Sequence, residues 1–241
     1  SITWDIDHTH GTPYHARFLQ FLKHAQRNNV IIGAGMTDPK GDRGKRPCEQ
    51  EDPYRFLHVT RRDDKGLYVT GAKAHMTGGF NSHWICVMPT MNMLEEDRDY
   101  AVVGLLPADA KGISYIYGRQ SCDTRALEEG DIDAGNAEYG GQEVLVVFDD
   151  VFIPWEHVLM DGEYEFAQTM VSRFTAYHRA SYVCKTGLGD VMVGAAAAIA
   201  EYNGADKASH IKDKLVEMTH LNETIYSTGI ASSYQATPTK S

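Results

Sequence analysis

The spacing of apolar residues changes twice along the chain, from helical to strand-like and back. Thr12-Pro13 predicts an N-cap followed by proline at the first helical position, and this helix is expected to end near Asn28. Its apolar stripe, at positions i, i+3, i+4 and i+7, consists of Phe18, Phe21, Leu22 and Ala25. From residue 31 to about residue 155, short β-branched runs broken by Gly, Pro and Asp predict strands. After Pro154 the helical spacing returns.

One β-hairpin and several further strands are predicted in the middle of the chain. Phe56–Thr60 and Gly66–Thr70 flank a turn, Asp63-Asp64-Lys65-Gly66, in which glycine is expected to supply a positive φ. The further strand candidates are Ile85–Met88, Tyr100–Leu106, Ile113–Tyr117 and Val144–Phe148. Together these strands predict a β-barrel or a sandwich.

Two long helices are predicted after the strands. Val191–Ala200 is followed by Asn203-Gly204, which is typical of a glycine C-cap. The second helix is predicted by an apolar stripe made of Ile211, Leu215, Met218, Leu221 and Ile225. Two helices cannot bury both of their apolar faces against each other as a bundle does. The chain is therefore expected to be part of a longer protein or to need partner subunits.

Charge and composition narrow the class of partner. Lys plus Arg number 23 against 33 Asp plus Glu, a formal net charge of −10, so electrostatic binding to nucleic acid is expected to be weak. No run of about 18 apolar residues is present, and no membrane contact is expected. The four cysteines have no CxxC spacing and are expected to be cytosolic thiols; they are Cys48, Cys86, Cys122 and Cys184. A small-molecule substrate is the remaining expectation.

Two segments near the strands combine glycine with polar side chains. The turn-rich loop Gly35–Gly44 holds a hydroxyl and two cations, a composition that suits a polar planar ring or a pyrophosphate but also occurs in ordinary surface loops. In Gly71–Gly78, the side chains of Lys73, His75 and Thr77 alternate, which predicts one polar sheet face. That face would contact a ligand or solvent.

Three further segments have candidate chemistry. Gly118–Arg125 and Gly140–Glu143 are polar and bounded by glycine, and Glu143 directly precedes a predicted strand, where catalytic groups are often presented. His178 and Cys184 are both able to bind a metal, although a packed histidine and a buried thiol explain the same residues.

Taken together, the motifs resemble the 4-hydroxybutyryl-CoA dehydratase family over essentially the whole chain. The motifs that carry the resemblance are Met36–Gly44, Gly71–His75, Tyr117–Arg125, Gly140–Glu143, Phe148–Pro154, Tyr177–Arg179 and Lys207–Thr224. The resemblance implies an α+β flavoprotein with the acyl-CoA dehydrogenase-like fold, in which a β-barrel domain lies between helical domains and FAD binds at their junction. Residues 1–30 would end the N-terminal helical domain, residues 31–155 would form the β-domain, and residues 156–241 would begin the C-terminal helical domain.

The activity implied is the radical dehydration of 4-hydroxybutyryl-CoA to crotonyl-CoA, with vinylacetyl-CoA isomerase activity at the same site. By resemblance, His178 is the base and a ligand of a 4Fe–4S cluster, and Cys184 is a second ligand. Glu143 would assist proton transfer or hold the hydroxyl, Tyr182 would lie near the substrate, and Lys185 would bond the flavin or the thioester. The flavin contacts implied are Met36, Thr37, Asp38, Lys40, Asp42, Arg43, Thr77 and Lys185. A cytoplasmic homotetramer is also implied.

The sequence departs from the family pattern between His178 and Cys184, which are six residues apart instead of seven. At about 100° per residue, six α-helical steps leave the two side chains about 120° apart. An irregular segment, a residue missing from the sequence or the absence of a cluster would each explain this spacing. Two other functions stay open. One is a two-component flavin monooxygenase of the same fold, against which the Cys184 and Glu143 motifs count. The other is a non-catalytic relative that binds CoA or flavin, which only the altered spacing supports.

Overall fold

The computed structural model describes residues 1–117 and 142–237. The chain divides into two compact units, Ser1–Val171 and the residues from Ser172 onward, and each is described by itself. The first unit contains two N-terminal helices and two β-sheets, and the second contains a helical hairpin.

A carboxylate connects the first two helices, α1 (Ile2–His10) and α2 (Tyr14–Arg27). Asp7 accepts hydrogen bonds of 2.9 Å from each of the first two backbone amides of α2 and thereby caps that helix. The expected cap residue, Thr12, instead donates its hydroxyl proton to Asp7 at 2.7 Å. The prediction of Thr12 as N-cap was wrong by one residue, because Pro13 occupies that position.

Eight strands lie in the described residues of the first unit. They are β1 (Ile32–Gly35), β2 (His58–Arg62), β3 (Gly66–Thr77), β4 (Trp84–Val87), β5 (Val102–Pro107), β6 (Ile113–Ile116), β7 (Glu143–Pro154) and β8 (Val158–Asp161). The predicted hairpin and the four further predicted strands are confirmed. Most ends are shifted by one or two residues, but β3 continues to Thr77 and β7 to Pro154, well beyond the predicted ends at Thr70 and Phe148.

The strands form two sheets of four. The first has the order β1-β4-β5-β8, and its pair β1–β4 is parallel while the other pairs are antiparallel. Because parallel neighbours end at the same edge of a sheet, the segments that follow β1 and β4 leave it side by side. The second sheet is antiparallel, with the order β2-β3-β7-β6. There the last residue of β3, Thr77, lies opposite the first residue of β7, Glu143.

An apolar core fills the space between the sheets. A methyl group at Gly104 of β5 would come within 2.8 Å of the Ile153 side chain of β7, so the two sheets are in close contact there. The largest fully buried side chains include Leu67, Leu106, Phe148 and Ile153. The order of helix, strands and helix is confirmed. The described strands form two sheets rather than a closed barrel, because no strand pairs across from one sheet to the other.

The strands run from Ile32 to Asp161, so all except β8 fall within the predicted range of residues 31–155.

Gly66 in the hairpin turn does not have the positive φ that was expected. Glycine is required there because a Cβ atom would lie 2.2 Å from the carbonyl oxygen of Ile153. The turn prediction therefore identified the right residue for the wrong reason.

Helices make up the second unit. Helix α3 (Ala167–Tyr177) begins in the first unit and crosses the boundary at Ser172. It leads into a 3₁₀ turn, His178–Ser181, which is followed by α4 (Tyr182–Tyr202) and α5 (Ser209–Tyr234). The predicted glycine C-cap of α4 is confirmed, since Gly204 has a φ of 64°.

Two side chains lock the hairpin of α4 and α5. The ring of Tyr182 fills the space that a side chain at Gly229 would occupy. Asn222 of α5 donates a hydrogen bond of 2.8 Å to Asp190 of α4.

Helix α4 has the length and apolar composition of a membrane-spanning helix, and it is the single such helix among the described residues. Only 11% of its most apolar stretch is buried within this chain. Core helices of water-soluble bundles have the same properties, so the helix alone does not indicate a membrane protein. The expectation of no membrane contact stays a prediction.

Candidate functional site

A buried lysine lies where the candidate flavin loop leaves the first sheet. The loop, Met36–Arg43, follows β1, and Met88 follows the parallel strand β4. Lys73 on β3 donates hydrogen bonds of 3.0 Å to the Met36 carbonyl and 2.9 Å to the Met88 carbonyl. Its third acceptor is the Asp38 carboxylate, at 2.6 Å. The ammonium group therefore joins the two segments that leave the sheet side by side.

Asp38 points into this cluster and not toward solvent. Its side chain is 9% exposed, and its second carboxylate oxygen accepts a 2.9 Å hydrogen bond from the Thr90 hydroxyl. Its partner Lys73 is 2% exposed. Burial lowers the pKa of Lys73 below its ordinary value, and the Asp38 carboxylate opposes that shift. Because three acceptors surround the nitrogen, all three protons of the charged form are used. Any contact between Asp38 and a cofactor would be indirect.

The remaining candidates on the loop are oriented outward. Thr37, Lys40, Asp42 and Arg43 are exposed, and Met36 is half-buried. Gln50 fixes the loop, because its side-chain oxygen accepts a 3.0 Å hydrogen bond from the Asp42 amide. One hydroxyl and two cations are thus presented on a fixed loop, a donor set that fits a ligand with a pyrophosphate and a polar ring.

A β-bulge changes the side-chain direction of β3 next to this loop. The register of β3 against β7 shifts between Lys73 and Met76, and His75 within the bulge has a φ of 53°. Lys73 and Met76 are consequently buried, whereas His75 and Thr77 are exposed. The prediction that Lys73, His75 and Thr77 share one face was wrong, because the extra residue inverts the alternation.

Thr77 and Glu143 form a polar pair at the end of the second sheet. They are opposite each other in the β3–β7 register, and the Thr77 hydroxyl donates a hydrogen bond to the Glu143 carboxylate. Both residues are exposed. The pair offers a carboxylate that can accept a proton and a hydroxyl that fixes its orientation.

A groove of about 490 Å³ borders the loop on the outer surface of the second sheet. The groove is open to solvent, and its exposed surface is mostly apolar. The lining residues are Pro39, Asp52, Tyr54, Arg55, Thr70, Gly71, Ala72, Leu145, Val147, Phe148 and Asp149.

The second unit contains the remaining candidates. His178 is exposed and its ring stacks on Phe174 with centroids 5.1 Å apart. The Cys184 thiol is exposed and donates to the carbonyl of Ser181 at 3.0 Å. Lys185 is exposed, and Tyr182 is held between the helices of the hairpin.

The 3₁₀ turn changes the geometry expected between His178 and Cys184. Residues in a 3₁₀ turn advance about 120° each instead of about 100°, so the six steps add up to about 670° and bring Cys184 to within about 60° of the His178 direction. The expected 120° separation assumed a continuous α-helix, whereas this segment begins as a 3₁₀ turn. The segment is therefore irregular, and binding of a cluster by His178 and Cys184 stays a prediction.

The described residues do not complete an iron–sulfur site. No group of three or more His, Cys, Asp or Glu side chains able to hold a metal is found in the described ranges. His178 and Cys184 would supply at most two of the four ligands that a 4Fe–4S cluster needs. The donor set of the described chain therefore fits a flavin but not a complete cluster.

The candidate residues are divided between the two units. The first unit contains Glu143, Thr77 and the loop Met36–Arg43, whereas the second contains His178, Tyr182, Cys184 and Lys185. The motif Gly118–Arg125, which includes Cys122, lies outside the described residues, as do residues 140 and 141 of the motif Gly140–Glu143. The sequence reading missed the roles of Lys73 and Thr90. A lysine within an otherwise apolar stretch of β3 was the available signal, and it was predicted to face a ligand or solvent instead of the interior.

Comparison with known proteins places the chain in one family. Residues 1–160 match a family model described as 4-hydroxyphenylacetate 3-hydroxylase N terminal, and residues 167–241 match the corresponding C-terminal model. A curated relative from Clostridium aminobutyricum, named 4-hydroxybutyryl-CoA dehydratase/vinylacetyl-CoA-Δ-isomerase, is 57% identical over 99% of this chain and 49% of its own length.

Solved structures agree with that comparison. An oxygen-tolerant archaeal 4-hydroxybutyryl-CoA dehydratase from N. maritimus is 64% identical, with a TM-score of 0.91 over 100% of this chain and 48% of its own. The oxygenase component of 4-hydroxyphenylacetate 3-monooxygenase, complexed with FAD, is 23% identical with a TM-score of 0.80, covering 94% of this chain and 47% of its own. An acyl-CoA dehydrogenase from Geobacillus kaustophilus, 16% identical with a TM-score of 0.54 over 88% of this chain and 53% of its own, shares the fold. The chain spans about half the length of these relatives.

Proposed function

Because the chain belongs to the 4-hydroxyphenylacetate 3-hydroxylase family, we propose that the protein of which it forms part is a 4-hydroxybutyryl-CoA dehydratase with vinylacetyl-CoA isomerase activity. The observation that carries the proposal is the contrast in identity, 57% and 64% to the two dehydratases against 23% to the hydroxylating relative. The expected products are crotonyl-CoA and water, and the expected assembly is a cytoplasmic homotetramer.

FAD is the cofactor that the first unit is proposed to bind. Thr37, Lys40 and Arg43 would contact its phosphates and ring edge from the exposed side of the loop, and Thr77 would contact it from the strand end. Bound FAD would supply one-electron exchange with the acyl-CoA, which makes a radical dehydration possible. This chemistry is needed because the hydrogen on the β-carbon of the substrate is not acidic and hydroxide is a poor leaving group.

The overall reaction sets the number of proton transfers that side chains must perform. One proton leaves the α-carbon, one leaves the β-carbon, hydroxide leaves C4, and one proton returns to C4, so that the balance is the loss of one water. At least two groups able to exchange protons are therefore useful. Glu143 and His178 are the proposed pair.

Glu143 is suited to hold or move the proton at the substrate hydroxyl. Its carboxylate is exposed at the start of β7, and the Thr77 hydroxyl orients it by donating a hydrogen bond. His178 is the proposed base at the α-carbon, since its imidazole is exposed and its ring is held by stacking on Phe174. Tyr182 and Lys185, which follow it on α4, are proposed to contact the substrate and the thioester or flavin.

The iron–sulfur part of the proposal rests on resemblance. His178 and Cys184 would be two ligands of a 4Fe–4S cluster, and the other ligands would come from outside the described residues. His178 would act as a base only while its imidazole is not bound to iron, because the two roles exclude each other at one instant.

The test is to purify the intact protein anaerobically and measure flavin, iron, sulfide and turnover together. FAD with about four irons per subunit and conversion of 4-hydroxybutyryl-CoA to crotonyl-CoA would support the proposal. Flavin without iron, no dehydration, and hydroxylation of a phenol with reduced flavin and oxygen would identify a monooxygenase instead. Flavin or CoA binding with neither activity would identify a non-catalytic relative.

A further inference from the structure

Lys73 connects three chain segments that are distant in sequence. It lies on β3 of the second sheet, and its acceptors belong to the segments that follow β1 and β4 of the first sheet. An ammonium group has three donor positions, and here each faces one acceptor within 3.0 Å. Lys73 has no remaining proton with which to contact a ligand, so it can affect a bound ligand only through the segments that it holds.

The segments held by Lys73 include the first half of the flavin loop. Three successive loop residues are tied to the cluster: Met36 and Asp38 accept from Lys73, and the Thr37 carbonyl accepts a 2.7 Å hydrogen bond from the Ala74 amide. Thr90 fixes the other oxygen of Asp38. The backbone that presents the exposed Thr37 side chain is therefore bonded to β3 on both sides.

We propose that Lys73 is a positioning residue that, with Asp38 and Thr90, sets the conformation of the loop Met36–Arg43 and so determines flavin affinity. This inference rests on the flavin site of the proposed function. A lysine that only filled the core would stabilise the fold without selecting the conformation of this loop. Lys73 differs from such a lysine because two of its three acceptors, Met36 and Asp38, belong to the loop itself.

The experiment compares variants of the intact protein. Lys73→Met removes the ammonium but leaves a buried carboxylate, so Lys73→Met with Asp38→Asn serves as the charge-balanced variant. Thr90→Val is isosteric, keeps the ion pair and is the variant least able to prevent folding. Lys111→Met changes an exposed lysine of the same unit and is the matched control.

Three measurements are made on each variant. Hydrogen exchange of peptides covering residues 36–43 reports the loop without any ligand, with peptides covering residues 144–148 of β7 as the internal reference. Flavin titration of the apoprotein and the visible circular dichroism of the bound flavin report the site. For the charge-balanced variant we expect loop exchange at least tenfold faster, β7 exchange unchanged, and flavin affinity at least tenfold weaker. Thr90→Val should show smaller changes in the same direction, and Lys111→Met none.

Each outcome decides one part of the inference. Unchanged loop exchange in both the charge-balanced variant and Thr90→Val would overturn it, because the loop would then be held by other contacts. Faster loop exchange with unchanged flavin affinity and dichroism would overturn the link to the flavin. If the wild-type protein binds no flavin, the proposed function fails, while the exchange data still establish or refute the control of the loop by Lys73.

Discussion

Gly66 provides a sharp test of the packing of β3 against β7. A Cβ atom at this position would lie 2.2 Å from the Ile153 carbonyl oxygen and 2.9 Å from the Pro154 Cα, both of which are backbone atoms. Carbon and oxygen atoms normally approach to about 3.3 Å, so the strands would have to separate by roughly 1 Å at this end. The substitution Gly66→Ala should therefore weaken the neighbouring ladder hydrogen bonds and the packing of Leu67, and lower the free energy of unfolding by about 3 kcal/mol.

The contrast between alanine and asparagine separates this explanation from a conformational one. Where glycine is needed for a positive φ, asparagine is tolerated better than alanine. Gly11 is such a position, since its φ is 70° and a Cβ atom added there would have no other atom within 4 Å. At Gly11 we expect a loss of about 1 kcal/mol for alanine and less for asparagine. At Gly66 both residues should be equally damaging, because both carry a Cβ.

The assay is urea unfolding of the intact protein, followed by tryptophan fluorescence and by circular dichroism, for the four variants. The free energies of unfolding are compared with that of the wild type under identical conditions. A Gly66→Asn protein as stable as the wild type, or clearly more stable than Gly66→Ala, would refute the close-approach argument and restore the positive-φ explanation.

Four further outcomes are expected. Glu143→Gln should lower dehydration by about 10²-fold or more while leaving flavin content unchanged, as measured by turnover and absorbance, and unchanged turnover would remove Glu143 from the mechanism. Asp97→Ala should lower the unfolding free energy by roughly 2 kcal/mol or more, because this fully buried carboxylate accepts two backbone amide bonds of 3.1 Å; a loss under about 0.5 kcal/mol would contradict this. Burial lowers the pKa of His157 below its ordinary 6.5, so the unfolded chain binds the proton more readily than the folded chain. The free energy of unfolding should therefore fall as the pH drops from about 6.5 through the lowered pKa. Urea titrations at successive pH values should show a weaker pH dependence for His157→Phe. Burial raises the pKa of the Cys86 thiol to about 11, so in folded protein freed of any cluster, iodoacetamide at pH 8 should alkylate Cys86 more slowly than the exposed Cys184. Mass spectrometry measures both rates, and equal rates would count against the prediction.

Local sequence patterns were sufficient for the strands but not for their irregularities. The hairpin of β2 and β3 and the strand β7 follow from alternation and turn residues, which are properties of neighbouring positions. The bulge in β3 depends on its pairing with β7, about 70 residues away, and its effect on His75 could not be read from β3 alone. The short helix α1 was missed because its nine residues show little amphipathic pattern.

The candidate site shows the same division. The loop Met36–Arg43 and Glu143 were found from glycine-rich motifs and strand ends, but the inward direction of Asp38 was not, since it depends on Lys73 and Thr90. The segment from His178 to Cys184 was predicted as a uniform α-helix, whereas it begins as a 3₁₀ turn, and this changes the angle expected between the two side chains. Contacts between segments that are distant in sequence account for each of these differences.

The pairing of the strands also determines when this unit can form during synthesis. The first sheet joins β1 at residue 32 to β4 at residue 84, and it is completed by β8 at residues 158–161. The second sheet is completed by β7, which ends at Pro154. Contacts of such long sequence separation make folding slow, and neither sheet can finish until most of the unit has left the ribosome. The loop that follows β1 is therefore synthesised early but acquires its fixed conformation late, and during that interval it is a segment that chaperones and proteases can reach.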